Sequence, residues 1–94
     1  MTVQIVRLKE GVDVVSEIEF IKNGVYAEAQ LTFPMMFELR NTALVLQQWL
    51  PLAVMEGNSV VISRNEILCV MEPNDNFRDY YENTISKLNS VRNK

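Results

Sequence analysis

Twelve carboxylates, nine Lys or Arg side chains and one thiol are the groups in this chain best suited to acid–base, metal or covalent chemistry. Their spacing organises none of it. Histidine, the commonest general base and metal ligand, is absent. Glu17 and Glu19 fall on the solvent parity of an alternating run, where a hydrated strand face accounts for them better than a catalytic pair. Glu10, Asp13 and Glu17 offer hard oxygen ligands, yet their spacing fits no calcium loop. No glycine-rich loop is present to cradle phosphate, and no Ser or Cys has a base to activate it. Cys69 lies in an apolar run, where a buried structural thiol is expected. Trp49 and the Leu50-Pro51-Leu52 run beyond it fit either a contact surface or a core anchor. These residues point away from an enzyme, and neither a metal nor a cofactor is expected.

The elements that position these groups must come from one small domain, because the chain has 94 residues and a mass of 10.9 kDa. With 48% hydrophobic residues and only three Gly and three Pro, it has the composition of a folding chain. A net charge of −3 excludes a whole-surface basic attraction to nucleic acid, so any such binding must be local. A single cysteine makes no internal disulfide, which implies a reducing compartment or indifference to redox state, and the expected location is the cytoplasm. The apolar stretches are broken well short of the roughly 20 residues that span a membrane. The first ten residues alternate instead of forming a charged region and then an apolar one, so no signal peptide is expected.

Up to about residue 70 the hydrophobic pattern has period two. Val14, Ser16, Ile18 and Phe20 share one parity of a strand, and Lys22-Asn23-Gly24 supplies the residues of a tight hairpin turn. Alternation resumes at Val25 and runs to Arg40, with Pro34 inside it demanding a bend, a bulge or a sheet edge. Further strands are expected at residues 3–8, ended by Lys9-Glu10-Gly11, and at 44–50, 60–62 and 67–70. From Asn74 the period becomes helical. Phe77, Tyr80, Tyr81, Ile85, Leu88 and Val91 gather on one face, and Asn74, Asp75 or Asn76 can cap the first turn.

Two segments carry a family resemblance. Leu8-Lys9-Glu10-Gly11, followed by Ser16 and Ile18, is similar to the first motif of the Sm-like (LSm) family. Ile62 to Val70 has the length and shape of the second motif, with Ser63 and Arg64 where Arg and Gly are usual. The C-terminal helix, the Trp-Leu-Pro segment and the acidic, Met- and Asn-rich composition resemble the small Sm-like proteins of large tailed phages, including cyanophages. The resemblance implies a mainly β fold: a small, strongly bent five-stranded barrel over residues 3–72, with a C-terminal helix over 75–91, in a single domain spanning 1–94.

It also implies a function. Sm-like subunits pair edge strands into rings whose loops accept single-stranded, often U-rich RNA. Carried over to this chain, the RNA-contacting residues are Lys22, Asn23 and Tyr26 from one loop and Ser63, Arg64 and Asn65 from the other. Lys22 and Tyr26 stand where the family usually carries Asp and Asn. The expected partners are therefore further copies of this chain and single-stranded RNA, with no membrane, and the expected cytoplasm is the host's if the chain is phage-encoded. Two alternatives remain: a scaffold ring that has lost RNA recognition, and an unrelated monomeric β-barrel docking module.

Overall fold

The computed structural model describes residues 2–23, 26–50 and 57–92, and of Asn23, Tyr26 and residues 89–92 it describes the backbone. The strands are β1 (Thr2–Leu8), β2 (Asp13–Asn23), β3 (Tyr26–Arg40), β4 (Ala43–Gln48), β5 (Ser59–Ser63) and β6 (Ile67–Met71). One helix, α1 (Asp75–Arg92), follows. All pairings are antiparallel, in the order β4-β3-β2-β1-β6, with β5 also on β3.

The mainly β architecture with a C-terminal helix is as expected, but the five-stranded barrel is not. The 44–50 run contributes a strand of its own, β4, so the sheet has six. The sheet also stays open. β5 and β6 are joined by a single 3-10 turn, Arg64–Glu66, yet β5 pairs with β3 and β6 with β1, so no ladder between them closes a barrel.

The bend forced by Pro34 decides this layout. β3 lends one edge to β2 and divides the other between β5, at Glu28–Thr32, and β4, at Met35–Arg40. Between the two stretches the β2–β3 register slips by one residue, so that Phe33 and Pro34 together oppose Ser16, as in a β-bulge. Phe33 takes the left-handed conformation, φ 54°, which costs a non-glycine residue about 1–2 kcal/mol. Compensating bonds surround it. The Ser16 hydroxyl donates to the Thr32 carbonyl at 2.9 Å, and the Phe33 N–H donates to the Asn58 carbonyl at 2.8 Å. Beyond the bend, β3 and β4 are joined by Asn41-Thr42, both at positive φ, the signature of a two-residue type I′ turn. The Lys9-Glu10-Gly11 turn is present, with Gly11 at φ 91° and its N–H bonded to the Leu8 carbonyl. Gly24 of the expected β2–β3 turn lies outside the described residues.

Both faces of the sheet are buried near its centre, so Val14 and Val15, of opposite parity, are each fully shielded. The inner face gathers Val6, Leu8, Val14, Ile18 and Leu31, with Trp49 packed against them, which makes Trp49 a core anchor. The outer face at Val3, Val15 and Met35 is covered by α1 through Phe77 and Tyr81. Asn74 caps that helix, its Oδ1 accepting from the Phe77 N–H at 2.8 Å. The helical face is as expected at Phe77, Tyr81, Ile85 and Leu88, whereas Tyr80 is 42% exposed. The side chain of Val91 lies outside the described residues.

Asp13, at the start of β2, accepts two hydrogen bonds from Arg7, at 2.8 and 3.0 Å. The bonded guanidinium holds its carboxyl below the usual carboxylate range, against a smaller opposing effect of burial. A depressed folded-state pKa stabilises the fold above the unfolded value near 4, and this contribution is lost as pH falls through the folded value. Asp13→Asn should therefore be slightly less stable than the native chain at pH 7, the gap closing as pH falls below about 4. Urea midpoints across that range measure it.

Candidate nucleic-acid interface

Strand register carries the six expected contact residues into place. Across β3, Ser63 pairs with Glu28 and Glu28 with Ile21, so Ser63 lies one row from the Lys22–Ala27 pair. The β5–β6 turn therefore lies at the same corner of the sheet as the β2–β3 hairpin end, with β3 between Lys22 and Ser63. Asn65 is exposed on the same turn. Asn23 and Tyr26 pair as the last rung of the β2–β3 ladder, and their side chains lie outside the described residues.

Within the turn, several groups are already engaged. The Ser63 hydroxyl accepts from the Asn65 N–H at 3.2 Å, capping the 3-10 turn. The Lys9 N–H donates to the Glu66 carbonyl at 2.9 Å, tying the turn to the β1–β2 connection. Arg64 extends its guanidinium over the ring of Phe20, 4.8 Å from the centroid, within cation–π range.

Phe20 is the residue that sequence reasoning missed. It shares parity with Val14 and Ile18, but at the open end of the sheet it stays 43% exposed. An apolar residue ending an inner-parity run beside a turn is a detectable signal. The Arg64 that lies over it is 44 positions away, and alternation alone does not supply that pairing. Lys22 follows on the same parity, whereas Glu17, Glu19 and Glu28 take the opposite one. Lys22 and Arg64 thus sit toward the inner rim, Glu66 shares the turn with Arg64, and Glu17, Glu19 and Glu28 lie on the outer face.

No family model and no curated protein matches this chain. A concavity of about 490 Å³ lies at the far end of β2 between Gly11–Asp13 and the β3–β4 hairpin. Its two carboxylates are engaged, Asp13 by Arg7 and Glu38 by Arg40. Among the described residues no group of three or more Cys, Asp or Glu side chains could hold a metal ion. Cys69 corrects the expectation of a buried thiol: β6 is an edge strand, and its cysteine is exposed. No helix among the described residues is long and apolar enough to cross a membrane.

Proposed function

We propose that this chain is a ring-forming Sm-like protein that binds single-stranded RNA, and that it is a binding module, not an enzyme. The observation that carries the reading is the three-residue turn between β5 and β6. It holds Arg64 beside the β2–β3 hairpin and joins two strands that each have one edge unpaired by any described strand. Both strands expose large apolar side chains: Val61 at 50%, Leu68 at 60%, Val70 at 36% and Met71 at 40%. Unpaired apolar edges template strand addition. Joining the β5 edge of one copy to the β6 edge of the next is a heterologous contact, which closes into a ring when the rotation per copy divides a full turn. The ring repeats Lys22 and Arg64 once per subunit, supplying locally the positive charge that the whole chain lacks.

In this reading Lys22 and Arg64 hold phosphates, Tyr26 stacks on a base, and Asn23, Ser63 and Asn65 offer hydrogen bonds. A scaffold ring without RNA is the second reading. It is favoured by the engagement of Ser63 in its own cap and of Arg64 with Phe20, and by the carboxylates on the outer face.

Titration of oligo-U and oligo-A at two salt concentrations separates the two. Each phosphate neutralised on a single strand releases about 0.7 counterion, so Arg64→Ala should weaken binding and flatten its salt slope. Tyr26→Ala should weaken binding by about 1–3 kcal/mol per stacked base with the slope unchanged. Absence of binding by the native chain at low ionic strength selects the scaffold.

A further inference from the structure

The hydroxyl of Tyr81 reaches from α1 to the bend in β3, where it donates to the Phe33 carbonyl at 2.8 Å and to the Thr32 carbonyl at 3.2 Å. Tyr81 is 1% exposed, so these bonds form in a dry site. Their acceptors are the residues at which β3 exchanges β5 for β4, one of them being the left-handed Phe33. Ring burial alone would dock the helix. A hydroxyl aimed at two consecutive carbonyls of a strained bulge does something more specific.

We infer that Tyr81 is a latch through which α1 sets the position of the β5 edge: its hydroxyl holds the β3 bend, and the bend fixes where β5 lies. Without that donor, Phe33 loses a partner that holds its left-handed conformation, and a rotation there swings the β3 segment that carries β5 relative to the segment that carries β4. The β1–β6 ladder is separated from the bend by β2, so the latch does not act on it directly. The consequence for assembly rests on the ring reading, since β5 would supply one half of each subunit contact. The latch itself does not.

The test is amide exchange in the full chain bearing Tyr81→Phe, which keeps the ring and removes the donor. Ser16→Ala, which removes the other side-chain donor to the Thr32 carbonyl, serves as a second variant should the first not fold. Ile85→Val, which loosens the packing of the same helix while leaving the hydroxyl donors at the bend in place, is the control. The expected result is exchange at least tenfold faster in residues 28–32 and 59–63 of Tyr81→Phe, with residues 5–8 and 67–71 unchanged, and no such selectivity in the control. Native-like exchange in β5, or a uniform rise across all strands, overturns the latch. Molar mass by light scattering is read in parallel. A monomeric native chain ends the ring reading while the exchange pattern still decides the latch, and a ring that persists with loosened β5 amides removes only the consequence for assembly.

Discussion

Tyr81→Ala should lower the stability of the fold by about 3–5 kcal/mol, the range for emptying a buried aromatic site. Tyr81 is among the largest fully buried side chains described, and its loss empties the space between α1 and the outer face at Val3, Val15 and Met35. It also leaves the Phe33 carbonyl without its 2.8 Å donor. A domain of this size has only about 5–15 kcal/mol in total, so the variant should be partly unfolded at 37 °C. Urea denaturation measures the effect. Tyr80→Ala, at the neighbouring and 42% exposed position, should stay within about 1 kcal/mol of the native chain. Equal effects at the two positions would mean that the hydroxyl and ring of Tyr81 are not the anchor described above.

The second large effect is expected on mass instead of stability. Replacing Val61 and Leu68 by Lys puts a cation on β5 and on β6, the strands whose edges the proposed ring would bury. Inward-facing charge is a common device against edge pairing. Light scattering should therefore fall from an oligomer to the 10.9 kDa monomer. Leu39→Lys is the matched control. Leu39 is the most exposed of the large apolar residues, at 74%, yet it sits on the β3–β4 hairpin away from both edges, and its replacement should leave the mass of the assembly intact. A native chain that is already monomeric at micromolar concentration would overturn the assembly itself.

Much of this fold was legible in the sequence because two physical signals are strong in it. Alternation from Val14 to Phe20 and from Val25 to Arg40 is long enough to specify strands, and the switch to helical spacing after Pro73 marks α1. The slip at Phe33–Pro34, however, puts Leu31 and Met35, of one sequence parity, on opposite faces. Pro34 announced the bend, since it cannot donate to a ladder. Alternation could not show that both faces of β2 are covered at Val14 and Val15, because the helix that covers one of them is more than 60 positions away. Nor could it show where β5 and β6 go after their turn: two short apolar runs read alike whether they pair with each other or with different neighbours. The same limit governs the candidate site. Lys22 and Arg64 were visible as turn residues, whereas Phe20 beneath Arg64 depends on a long-range meeting of two turns.

The pairing of β6 with β1 has a consequence for how the chain comes into being. Val6 meets Val70 across that ladder, so the outer edge of β1 must wait until a residue 64 positions further along has been synthesised. The β1–β2–β3 meander can form from local contacts as it emerges from the ribosome, but its Val15 and Met35 face stays bare until Phe77 and Tyr81 appear. A nascent chain stalled before that point presents an uncovered apolar sheet with an open edge. Synthesis rate between Met35 and Tyr81 thus bears on yield, and the residues that cover the sheet are translated only after every strand they protect.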